Sequence, residues 1–220
     1  MFEQTENENS ITTSFKNVQT FYEQISKLIL EMDQQFANNG FQPNLNNPNA
    51  ICRWRSDRVS EFGGWLVDGI GRPYYFVEDG EQNHKQIVIN IVFHNEMAPV
   101  ISYGLFTYDG NVVDKKFGIG EHWLLYWPFM LGRDWNLKKE NKYLICSNPT
   151  TDKSSINFRG LRENLFATLR LLNICNSESL QELVINPSIE LFQNNNINID
   201  DTKSNNHISC KDYLEIFPYR

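Results

Sequence analysis

Histidine is scarce in this chain, and so are the arrangements that make histidine do chemistry. There are four in 220 residues: His84, His94, His122 and His207. None forms an H-x-x-x-H or H-E-x-x-H pair, so the zinc-helix signatures are missing. His84 and His94 on one unbroken strand would stand about 33 Å apart, too far to share an ion. The cysteines Cys52, Cys146, Cys175 and Cys210 are scattered, without a C-x-x-C pair. That spacing fits free thiols in a reducing compartment rather than a disulfide scaffold or a zinc site. No G-x-S-x-G nucleophile elbow occurs. Gly69-Ile70-Gly71 and Gly118-Ile119-Gly120 stop short of a dinucleotide fingerprint or a phosphate loop, and read as tight turns. No apolar run approaches the roughly 18 residues that a membrane span needs. Met1-Phe2-Glu3-Gln4 shows neither a basic nor an apolar leader region, so a secretory signal is not expected and a cytoplasmic protein is. Positive charge is also short: the net charge is −7, which disfavours phosphate backbones and anionic membranes as partners.

What the chain has in quantity is aromatic and apolar pattern. It carries 15 Phe, 9 Tyr and 5 Trp, in a composition that is otherwise ordinary for a globular protein. Its length suits one domain with a sizeable core. Phe15, Val18, Tyr22, Ile25, Ile29, Met32 and Phe36 alternate spacings of three and four, the strongest periodicity in the sequence. This predicts a helix from Thr13 or Ser14 to about Asn38, stopped by Asn38-Asn39-Gly40, with a polar, frayed tail over 1–12. The same stripe fits a coiled-coil homodimer. Phe21 and Leu28 widen it, which favours a helix lying on a sheet.

From Ala50 to Phe117 the pattern is β. Over Gln86–His94, Ile87, Ile89, Ile91 and Phe93 share one face, and Val88 and Val92 occupy the other. A strand apolar on both sides is central and covered twice. Val100–Tyr108 pairs with it, and Tyr74–Glu78 precedes it. Short strands are expected at Tyr143–Cys146 and Ser155–Phe158, and helices at Glu163–Leu172 and from Asn176 or Ser177 to Phe192, with a break at Pro187. The expected fold is α+β: an antiparallel sheet of five or six strands, the long N-terminal helix packed on it, and C-terminal helices. The expected divisions are a single domain over 13–192, an Asn-rich flexible linker over 193–206 and an apolar tail over 207–220.

Candidate sites follow from chemistry alone. On a strand, Arg53 and Arg55 share a face; with Arg58 they form a compact basic cluster able to grip a carboxylate or phosphate of a ligand or partner. Trp123, Trp127 and Phe129 either plug the core or mark an interface. Tyr213, Leu214, Phe217 and Tyr219 make the tail too apolar to float free, so it docks on its own domain or on a partner. Glu121 and His122, beside Gly118-Ile119-Gly120, and His94 are the candidates for acid–base catalysis. Asp68, Glu78, Asp79 and Glu96 are the acids a magnesium site would draw on. The expectation is a non-catalytic protein-binding module, an accessory or inhibitor protein of bacterial or phage type, with no cofactor, no metal, another protein as partner, and no membrane or nucleic acid. The alternative is a small hydrolase or nuclease using a carboxylate/His site.

Overall fold

The computed structural model describes residues 2–53, 59–60, 66–67, 69–78, 84–93, 98–118, 125, 136–147, 160–194 and 206–216. One long helix, α1 (Phe2–Ala37), leads into a sheet of eight strands: β1 (Phe41–Pro43), β2 (Cys52–Arg53), β3 (Gly69–Phe76), β4 (Lys85–Val92), β5 (Val100–Tyr108), β6 (Asn136–Glu140), β7 (Tyr143–Ser147) and β8 (Leu161–Arg170). Then come α2 (Ser177–Leu180), a π-helical turn (Gln181–Ile185), α3 (Asn186–Asn194) and α4 (Cys210–Ile216). The spatial order is β1-β3-β4-β5-β8-β7-β6, with β2 also on β3, and every pairing between these strands is antiparallel. This is the α+β architecture read from the sequence, with more strands than the five or six expected.

The central strands show why the sheet needs two covers. Ile87, Ile89 and Ile91 of β4 join Ile25, Ile29, Met32 and Phe36 of α1 in one core. Val88 and Val92 join a second core on the opposite face with Phe106, Phe117, Leu144 and Phe166. α1 stops where expected: Gly40 takes φ 83°, and its amide donates to Ala37 O at 3.0 Å. A Cβ there would meet the Phe76 ring at 2.8 Å, so the position requires glycine twice over. Asn176 caps α2, accepting the Ser179 amide at 2.8 Å. Pro187 has no N–H for the usual i−4 bond, and the turn just before it widens to π, with the Asn186 amide reaching back to Gln181 O.

Three expectations need correction. α1 reaches back to Phe2 rather than starting at Thr13 or Ser14. The seated half supplies the helical nucleus, so each upstream residue adds a hydrogen bond without the nucleation cost. Thr13 and Ser14 are not caps; their hydroxyls donate to the carbonyls of Asn9 (2.8 Å) and Ser10 (3.0 Å) inside the helix.

The segment 163–172, expected to be helical, is mostly β8, an inner strand between β5 and β7. Its Leu165, Ala167 and Leu169 face the α1 core, while Phe166 faces the other. A strand buried on both sides shows no alternation, and residues such as Leu, Arg, Glu and Ala read as helical in isolation. Two of its buried polar residues make tertiary hydrogen bonds: Asn164 donates to Leu125 O at 3.1 Å, and Thr168 and Ser102 share a hydrogen bond at 2.7 Å.

Finally, Gly69-Ile70-Gly71 is not a turn. It is the extended start of β3, in register with Val92, Ile91 and Asn90. The expected strand Ser155–Phe158 lies outside the described residues.

Candidate functional site

The stripe that seats α1 does not end where the sheet ends. Ile25, Ile29, Met32 and Phe36 are buried. At the sheet's margin Phe21 meets the Phe93 ring edge-on at 5.0 Å, and the Tyr22 hydroxyl donates to Val67 O at 3.0 Å. Upstream of that point, over residues 8–21, only Val18 is even half-buried. Yet the same three–four spacing runs on through Val18 and Phe15 to Ile11. Phe15 is 67% exposed and Ile11 59%. The free half of α1 therefore presents an apolar seam in line with the seated one.

Two polar clusters hold the seated half in a fixed direction. Arg72 of β3, nearly fully buried, forms a two-pronged ion pair with Asp33 of α1, and also donates to the carbonyls of Ala50 and Pro48 (the latter at 2.9 Å). The buried Tyr74 hydroxyl donates to the same carboxylate at 2.8 Å. Burial opposes the Arg72 charge, but the Asp33 carboxylate more than offsets it and raises the guanidinium above its ordinary value. Burial, reinforced by that carboxylate, pushes the Tyr74 phenol well up, so it stays a donor.

On the other flank, Glu31 accepts from the Ser177 hydroxyl at 2.6 Å and from the Gln35 amide at 2.8 Å. Those donors, Ser177 first, hold its carboxyl below the usual range. The second cluster ties α1 to α2. Beside it an apolar groove of about 560 Å³ runs between α1 and the segment that leads from β8 into α2, lined by Phe21, Leu28, Leu172, Ile174 and Leu180. Leu172 stands 71% exposed at its rim.

The residues singled out from the sequence fall as follows. Arg53 is half-buried at the end of β2, opposite Ile70, on the face turned toward α1. Arg55 and Arg58 lie outside the described residues, as do Glu121, His122, His94, Trp123, Trp127, Phe129, Phe217 and Tyr219. Of the acids named for a magnesium site, Glu78 is exposed, and Asp68, Asp79 and Glu96 are not described. Among the described residues no three His, Cys, Asp or Glu side chains are grouped to hold a metal ion. No helix among them is long and apolar enough to cross a membrane.

The described part of the tail, 207–216, folds back on its own chain. His207 bridges to Leu169, the Ile208 amide donates to Thr168 O at 2.8 Å, and Tyr213 is buried with its ring 5.2 Å from Phe166. Leu214 is half-buried in the same core. Tyr103 and His207 share a hydrogen bond at 3.0 Å, which fastens the tail from the α1 side of the sheet.

The sequence reading missed Asp33 and Arg72. The signals were there: an arginine inside an otherwise apolar strand run, and an acid directly after Met32 on the helix's inner flank. Their 39-residue separation gave no local cue that they meet. Searches of protein-family models, curated proteins and solved structures find no match to this chain.

Proposed function

We propose that this chain is a protein-binding module whose docking element is the free half of α1. The observation that carries the reading is the exposed continuation of the seam through Ile11 and Phe15, on a helix whose other half is clamped to the sheet. A clamped helix that projects a ready-made apolar stripe docks into an apolar groove or alongside another helix, by the i, i+3, i+4 anchoring of helix-in-groove recognition.

The free half is also marked by composition. Eight of the thirteen residues from Thr5 to Asn17 are Thr, Asn or Ser, weak helix formers. Such a segment is stabilised when a partner covers its apolar face. Over residues 2–20 it carries Glu3, Glu6 and Glu8 against Lys16 alone. A second copy packed in parallel would set these acids against their own kind. The occupant that fits is another protein with an apolar stripe bordered by Lys or Arg.

The test is site-specific photocrosslinking in the cells that make the protein. A benzophenone residue is placed on the seam at position 11 or 15, or on the opposite side at position 13 or 20. The expected result is one discrete adduct from the seam positions, absent from the opposite side and lost when the other seam residue is changed to glutamate. An adduct of the chain with itself, together with a dimer mass in light scattering that Ile11→Glu abolishes, would replace the hetero-partner with a second copy. Equal labelling from both sides of the helix would overturn the reading.

A further inference from the structure

A second concavity lies on the other flank of α1, and its chemistry differs from the seam's. It has a volume of about 490 Å³, within the range of roughly 300–1,000 Å³ typical of small-molecule sites. Ile25 and Ile29 of α1 form one wall; Ile51, Val67 and Ile70 form the other. Among the described residues, three charged side chains line it: Asp33, Arg72 and Arg53.

Register explains how the two arginines come to share it. Arg53 sits opposite Ile70, and Ile70 faces the α1 core. Directly opposed residues of an antiparallel pair point to the same face, so Arg53 points there as well. Arg72, two residues along β3 from Ile70, has that face too. The charges are not equivalent. Asp33 and Arg72 neutralise each other through two hydrogen bonds. The Arg53 side chain has no hydrogen bond or ion pair among the described residues. The described lining therefore carries one uncompensated positive charge, half-buried, in a chain whose overall charge is −7. A guanidinium flanked by apolar walls is weakly hydrated, and a carboxylate can meet it with two parallel hydrogen bonds.

We infer that the cleft between α1 and the β2–β3 edge is a binding site for a small monocarboxylate with an apolar body, its carboxylate held by Arg53 and its body between the isoleucines. This goes beyond the docking role of the free half of α1 and does not depend on it. The cleft is built from the seated half, and its occupancy is read on the isolated protein.

The probe is octanoate, compared with octanamide and octylamine, titrated into the full chain with isoleucine methyl groups labelled for NMR. The expected result is saturable shifts confined to Ile25, Ile29, Ile51 and Ile70, with octanoate at least ~10-fold tighter than octanamide, as one charge-assisted pair warrants. Octylamine is expected to bind weakest. Arg53→Gln should bring octanoate down to the octanamide level and leave octanamide unchanged, while Arg53→Lys keeps most of the preference. A thermal melt of Arg53→Gln superimposing on the parent separates loss of the site from loss of the fold. The inference is overturned if octanoate and octanamide bind alike, if Arg53→Gln leaves the ratio intact in the folded protein, or if the shifts fall on isoleucines remote from the cleft.

Discussion

Replacing Asp33 by Asn tests the clamp on which the direction of α1 depends. The Arg72 side chain is 5% exposed and that of Asp33 23%. Removing the carboxylate charge leaves a buried guanidinium whose remaining acceptors are the carbonyls of Pro48 and Ala50 and one neutral amide oxygen, for which it competes with the Tyr74 hydroxyl. Breaking one side of a buried pair costs about 3–5 kcal/mol. The two carbonyls and the partial exposure of Asp33 place this case at the lower end, at about 3 kcal/mol, or a fall in Tm of roughly 6–12 °C for a chain of this size. Urea unfolding of the single variants Asp33→Asn and Arg72→Met, and of the double variant, completes a cycle. The double variant should regain much of the loss, because an apolar side chain in place of the guanidinium leaves no orphaned charge. A loss below about 1 kcal/mol for Asp33→Asn, or strictly additive single effects, would refute the assignment of this pair as the clamp.

Gly104→Ala should destabilise the fold by about 1–3 kcal/mol, since the new Cβ would sit 2.6 Å from both Leu165 O and Phe166 Cβ where β5 and β8 approach; an unchanged Tm would contradict that approach. Stability should fall between pH 10 and 12. Burial, partly offset by the neighbouring Tyr103 hydroxyl, drives the Tyr143 phenol up to about 12 from 10.0. Its contribution of about 3 kcal/mol is complete below the unfolded value and lost as pH rises through the folded one. Tyr74 and Tyr103 shift the same way, so urea midpoints that stay level across that window would count against all three burials. In the native protein one thiol, Cys175, should react rapidly with Ellman's reagent, and Cys52, Cys146 and Cys210 only on unfolding; burial drives the Cys146 thiol up, leaving little thiolate to react. Two or more fast thiols would refute the packing of the second core.

Period was the legible signal, and it was legible wherever one face differed from the other. The isoleucines and valines of β4 announced a strand covered twice, and the three–four stripe announced the seated half of α1. Legibility failed where a doubly buried strand lacks the run of β-branched residues that marks β4, and where contacts span long sequence distances. β8 has no alternation to read, because Leu165 and Phe166 are buried in different cores. The three-residue β1 and two-residue β2 are too short to carry a period, and both exist by pairing along the same edge of β3. Of the basic cluster, strand alternation put Arg53 and Arg55 on one face without saying which; the direction of Arg53 comes from its register opposite Ile70. Its neighbours in the cleft, Asp33 and Arg72, follow from tertiary register alone.

α1 thus joins two kinds of stability in one element. Its seated half is fixed by buried isoleucines and by two polar clamps on opposite flanks. Its free half has the same stripe without the sheet and a composition that disfavours helix. Propagation from the seated half keeps the free half helical at no nucleation cost. Each weak former nonetheless costs up to about 0.7 kcal/mol against alanine, so this is the part of α1 that opens first. Burying Ile11 and Phe15 would return about 1.5–3 kcal/mol for each side chain fully covered, which is of the size needed to hold that run of Thr, Asn and Ser in place. An apolar seam on an intrinsically weak helix, rigidly aimed by the fold behind it, is therefore ordered most firmly when another surface covers it.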